Sequence, residues 1–231
     1  MLKSKKNKPL ATRKLVARTN PNSIVTEQYR TIRSNINFSL PSADMKTLLF
    51  TSASKEEGKS TTSGNIAIVY AESGKKVLLV DADMRRPTLH HTFRMSNKVG
   101  LSNLLLNKGS LQDAIKKSGI RGLDLLMSGQ IPSNPAELLD SEAMNRLIDE
   151  LREKYDLIIF DSPPILAVTD AKILANKCDG TVLIVNTGKT EKESVTKARD
   201  ALATAKAFIL GVVLNNYPKN KNSEYYQSYE S

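Results

Sequence analysis

"TLLFTSASKEEGKST", residues 47–61, sets the frame for the whole chain. Its start, "TLLFTSA" (47–53), is a short apolar run of the kind that forms a buried strand. The adjoining residues 53–60 fit G-x-x-x-x-G-K-[ST], with Ala53 in place of the first glycine and Gly58, Lys59 and Ser60 closing the pattern. A helix comes next, "STTSGNIAIVYAESG" (60–74). A strand that turns through such a loop into a helix offers successive backbone N–H groups to a phosphate chain. Lys59 is placed to reach the β- and γ-phosphates, and the Ser60 hydroxyl to hold Mg²⁺. Ser54, Lys55, Glu56, Glu57 and Thr61 complete the candidate nucleotide contacts. A capped helix after an ordinary βα turn also accounts for "GKS" taken alone, so the assignment leans on what lies further along.

Outward from the loop, strands and helices alternate. Strands are expected at 75–83, 123–129, 157–164, 180–188 and 209–217. Helices are expected at 22–38, 134–156, 168–179 and 192–207, with short ones around "GLSNLLLN" and "SLQDAIKKS". Continuous Val/Ile/Leu runs separated by helices indicate an α/β fold. The expected architecture is P-loop NTPase-like: a mostly parallel central sheet with helices on both faces. Ligands in such sheets bind beyond the carboxyl ends of the strands.

Two of those strand ends carry acids. "VLLVDADMRRP" places Asp81 and Asp83 at one, and "LIIFDSPP" places Asp161 at another. A hydrophobic strand ending in Asp beside a phosphate loop suits a carboxylate that serves Mg²⁺. Three acids side by side are costly unless a cation neutralises them. N-cap aspartates explain either site alone, but explain both poorly. By the period-2 rule Asp81 and Asp83 share a face, so one can serve metal while the other faces the attacking group. That pair suits a hydroxyl substrate that must lose a proton. Arg85 either stabilises phosphate charge or anchors the loop; the sequence leaves both open.

The net charge of +10 is uneven. The first 20 residues hold seven Lys/Arg and no acid, so the rest carries only +3. Residues 1–20 read as a flexible basic arm: a solvated leader, or a segment for anionic lipid or an acidic partner. Nucleic acid is not expected, because the folded part is not basic enough. The one cysteine, Cys178, excludes an internal disulfide framework and suits a reducing compartment. No apolar run approaches the ~20 residues that span a bilayer. No apolar stretch of a signal peptide follows the basic start. Residues 21–217 read as one domain, and 218–231 as a disordered tyrosine-rich tail. "NSEYYQSYES" holds Tyr225, Tyr226 and Tyr229 among polar neighbours that cannot bury a ring.

Together these features resemble the bacterial tyrosine kinases, relatives of the MinD/ParA-type ATPases. The resemblance rests on "ASKEEGKS", "LLVDADMRRP", "LIIFDSPP", the tyrosine-rich tail, and "EQYRTIR" with Glu27, Arg30 and Arg33. It implies transfer of the γ-phosphate of Mg·ATP to tyrosine. Lys59 would bind phosphate, Ser60, Asp81 and Asp161 would serve the metal, and Asp83 would be the base. It implies autophosphorylation of Tyr225, Tyr226 and Tyr229 in trans, within a ring-shaped homo-oligomer contacted through Glu27, Arg30 and Arg33. It further implies a cytoplasmic enzyme recruited to the membrane by an anchored activator of the polysaccharide co-polymerase type. Also implied are other protein substrates and an opposing tyrosine phosphatase, in the service of capsule or exopolysaccharide export. Asn215, in "NNYP", would contact the base.

The residues also depart from the relatives. The MinD/ParA signature lysine would stand at Ser54, whereas the lysine here is Lys55. That disfavours an ATPase switch, and the full set of Lys59, Asp81, Asp83 and Asp161 disfavours a catalytically idle scaffold. Read locally, Glu27, Arg30 and Arg33 are a solvated helix side whose i,i+3 pair is worth only ~0.2–0.5 kcal/mol. His90 and His91 read as surface or packing residues, and Cys178 as buried in a helix.

Overall fold

The computed structural model describes residues 15–39, 42 and 45–218. In chain order the first half comprises α1 (Val16–Thr19), α2 (Ile24–Ser39), β1 (Thr47–Ser52), α3 (Lys59–Glu72), β2 (Val77–Asp81), α4 (Leu89–Phe93), α5 (Leu101–Leu105) and α6 (Leu111–Ala114). The second half comprises β3 (Ile115–Ile120), β4 (Leu123–Leu126), α7 (Pro135–Asp140), α8 (Glu142–Lys154), β5 (Leu157–Asp161), α9 (Asp170–Lys177), β6 (Gly180–Asn186), α10 (Lys192–Thr204) and β7 (Ile209–Asn215). The seven strands form one sheet in the order β3-β4-β2-β5-β1-β6-β7. All neighbours pair in parallel except β3 with β4.

The central strands are fully buried because they feed two cores. Successive side chains alternate between faces. Leu49, Leu78 and Val80 pack with residues of α5 and of α7 to α10. Leu48, Phe50, Val77 and Leu79 pack on the other face with α1, α2 and α3. This is the expected helix-covered α/β sheet, and it brings the carboxyl ends of β1, β2 and β5 to one edge.

Three segments differ from expectation. Residues 15–20 of the expected flexible arm are folded: Leu15 and Ala17 are buried, and the Ala17 N–H donates to Asn65 Oδ1 at 2.9 Å. An apolar pair among basic residues is enough to dock, because Gly64 of α3 leaves room for Leu15, 3.1 Å from where a Cβ would stand. The expected helix at "SLQDAIKKS" stops after four residues, and Ile115–Ile120 becomes an antiparallel edge strand on β4. Non-local pairing overrides the local pattern there. The expected helix 134–156 is two helices, because Ser141 leaves the helical conformation and accepts the Met144 N–H at 3.3 Å as a new N-cap. Tyr225, Tyr226, Tyr229 and the start of the arm lie outside the described residues.

Candidate active site

The phosphate loop is held from behind. Gly58 starts α3 at φ +93°, in the left-handed region that glycine tolerates. A Cβ there would stand 2.1 Å from Asn215 Nδ2. That amide donates to the Glu57 carbonyl at 3.0 Å, tying the loop to the end of β7. The Glu57 side chain is buried and accepts the Ser54 N–H at 3.0 Å. Burial pushes its carboxyl above the usual range. Ala53 is buried as well. Ala53, Glu57 and Asn215, expected as nucleotide contacts, thus shape the loop from its inner side. Lys55, Glu56, Gly58, Lys59, Ser60 and Thr61 face an open cleft of about 860 Å³.

The two strand-end acids are neighbours: Asp81 and Asp161 stand in register as the last residues of β2 and β5. Both are wholly buried. Asp81 Oδ2 accepts the N–H groups of Thr88 and Leu89, each at 3.0 Å, at the start of α4. Its Oδ1 is buried with no hydrogen-bond partner. Burial first, then the Asp161 carboxylate, pushes Asp81 up to about 7.

Asp83 arrives by a different route from the one expected. The strand ends at Asp81, so the shared-face argument does not apply. A turn places Asp83 instead, closed by the Arg86 N–H on Oδ1 at 3.0 Å. Lys59 Nζ then lies 3.4 Å from Asp83 Oδ2, 3.9 Å from Asp161 Oδ1 and 3.4 Å from Ser60 Oγ. One ammonium thus sits among two carboxylates and the first hydroxyl of α3, and Asp83 opens to the cleft.

Among the described residues no three His, Cys, Asp or Glu side chains form a metal cage. Mg²⁺ does not need one, since it keeps several waters and takes one or two carboxylates plus phosphate oxygens. The bare Asp81 oxygen, Asp161 and the Ser60 hydroxyl are hard oxygen donors of the right kind.

Arg85 resolves toward the anchor. Its Nε and Nη2 donate to the two oxygens of the buried Asp170, at 2.9 and 3.0 Å. This fork ties the Asp83 turn to the start of α9, across the cleft. Asp170 escapes the sequence reading, although an acid opening a helix at "TDAK" is its one visible signal. Thr88, Arg86 and the wall made by Pro163, Pro164, Ala167 and Val168 escape it too. His91 lines the cleft and stacks 3.8 Å from the His90 ring; Cys178 is buried just past α9. Glu27, Arg30 and Arg33 lie away from the cleft on α2. Arg30 pairs with Glu27 and reaches Glu72 at 3.5 Å, and Arg33 donates to the Val69 carbonyl at 2.7 Å.

A family model described as an AAA domain matches residues 45–207. Tyrosine-protein kinase YwqD of Bacillus subtilis is 52% identical over 213 residues, covering 92% of this chain and 90% of that one. The chain belongs to the bacterial tyrosine kinases. The putative tyrosine-protein kinase CapB of Staphylococcus aureus is 44% identical over 90% of this chain and 92% of its own. Among solved structures, the chimerical protein CapA2B2 superposes with TM-score 0.86 at 42% identity, covering 89% of this chain and 90% of the other. The kinase domain of Escherichia coli ETK gives TM-score 0.87 at 33% identity, covering 95% and 86%. MinD of Pyrococcus furiosus, at 23% identity and TM-score 0.65, shares the fold alone. The chain is thus an ATP-dependent tyrosine kinase on a P-loop fold.

Proposed function

We propose that this kinase transfers the γ-phosphate of ATP to tyrosines of its own C-terminal tail, supplied by a neighbouring copy, and to other proteins. The carrying observation is that Lys59, Ser60, Asp81, Asp83 and Asp161 converge at one strand-end edge, and that of these three aspartates Asp83 opens to the cleft. Backbone N–H groups of the loop and Lys59 would cradle the triphosphate. Mg²⁺, held through Ser60, Asp81 and Asp161, would neutralise charge on the phosphates. Asp83 would accept the phenolic proton as the tyrosine oxygen bonds to phosphorus and ADP departs. Asn215, fixed on the loop, would border the base.

Glu27, Arg30 and Arg33 would contact a second copy within a ring. Among the described residues no helix is long and apolar enough to cross a membrane. Recruitment to the inner membrane face would come from a separate membrane-anchored activator, and the output would be capsule or exopolysaccharide export. Incubation of the purified chain with Mg·ATP, with and without the activator's cytoplasmic segment, tests the reading by mass spectrometry. Phosphate is expected on Tyr225, Tyr226 or Tyr229. An unmodified tail under both conditions rejects autophosphorylation.

A further inference from the structure

The cleft has two sides of different chemistry. The phosphate loop and the start of α3 supply one, and on the kinase reading above the triphosphate would occupy it. The acceptor must therefore enter opposite Lys59, between residues 83–91 and residues 163–168. The Arg85–Asp170 fork ties the first of these segments to the start of α9, two residues beyond the second. Pro163, Pro164, Ala167 and Val168 make one wall apolar, a surface on which a phenol ring can lie.

The charges of the acceptor half cancel pairwise, with one exception. Asp83 is matched by Lys59, and Arg85 by Asp170. Arg86 lines the cleft and makes no ion pair among the described residues. Its own backbone N–H holds the Asp83 carboxylate, so its side chain leaves the chain three residues from the acid that faces the acceptor. An exposed, unmatched guanidinium there attracts an anion that arrives with the tyrosine.

Resting on the kinase reading above, we propose that Arg86 determines acceptor specificity, selecting tyrosines flanked by an acidic residue. The chain's own sequence fits this selection. Glu224 precedes Tyr225, Glu230 follows Tyr229, and the tail's lysines, Lys219 and Lys221, stand further off. A carboxylate one residue from the acceptor reaches Arg86 while the ring lies on the proline wall.

Charge exchange in the full chain tests this. The rate of phosphate incorporation at Tyr225, Tyr226 and Tyr229 is followed by mass spectrometry with Mg·ATP. Glu224→Lys with Glu230→Lys is expected to slow it about fivefold, the effect of one exposed charge pair worth ~1 kcal/mol. Arg86→Glu in an otherwise native chain is expected to slow it similarly. Combining all three changes is expected to restore most of the loss, which a merely structural Arg86 would not do. The contrast should shrink at high salt. Equal rates in native and charge-reversed tails, or slowing by Arg86→Glu that the reversed tail does not relieve, overturns the inference while leaving the kinase intact. A native chain that never acquires phosphotyrosine overturns the autophosphorylation reading itself, and this inference with it.

Discussion

Asp81 is a carboxylate with one oxygen held by two N–H groups and the other buried and bare. Burial and Asp161 keep its proton on up to about 7, whereas an unfolded aspartate releases it near ~3.9. Between those values the folded chain binds a proton that the unfolded chain lacks. Asp81 therefore contributes stability that declines as pH rises through that window in the nucleotide-free protein. Binding of Mg²⁺ and nucleotide requires the ionised form, so it should release a proton below about pH 7. Calorimetric titration at pH 6 and pH 8 should show tighter binding at the higher pH, and Asp81→Asn should flatten that rise; equal pH dependence in both proteins would refute the assignment. Lys59→Met, and Asp81→Ala combined with Asp83→Ala, should abolish tail phosphorylation while circular dichroism stays native. Arg85→Ala leaves the buried Asp170 without its fork and should cost about 2 kcal/mol in denaturant unfolding. It should also slow phosphorylation by loosening the Asp83 turn.

Elements are legible in the sequence where their pattern is local. The strand, loop and helix of residues 47–74 announce themselves, and the acids at the ends of β2 and β5 emerge from the same reading. Lys59, Ser60, Asp81 and Asp161 accordingly come from spacing alone. Asp83 comes from spacing for the wrong reason, since a turn and not the pleat brings it to the cleft. The Arg85–Asp170 fork joins residues 85 positions apart, and no local pattern encodes such a pairing. The edge strand β3 reads as helix because "DAIKKS" satisfies a helical pattern and only its pairing with β4 makes it extended. The break between α7 and α8 escapes the sequence reading although Ser141 and Glu142 form a cap signal. Ser141→Ala should cost about 1 kcal/mol, read from the denaturation midpoint. The docked end of the arm offers a sharper check. Leu15→Ala should destabilise by about 2–3 kcal/mol, as a core truncation does. A neutral result would return residues 15–20 to the flexible arm.

At the scale of the whole molecule the open question is what α2 does. The proposed contact between copies falls on its charged side, and the fold gives two of the three residues a duty within one chain. Arg33 holds the Val69 carbonyl and Arg30 reaches Glu72, so both bind α2 to α3 within one chain. Replacing both arginines by alanine would disturb this packing together with any interface, and a smaller assembly would be ambiguous. Glu27 separates the two effects. Its side chain is 62% exposed, and its one ion pair among the described residues, to Arg30 one turn away, is of the kind worth a few tenths of a kcal/mol. Glu27→Lys should therefore leave the thermal midpoint almost unmoved. In an assembly that matches Glu27 against a cation of the next copy, the same change places like charges together. Light scattering should then report a smaller particle, and tail phosphorylation, proposed above to pass between copies, should fall with it. An unchanged mass at an unchanged midpoint would remove α2 from the interface.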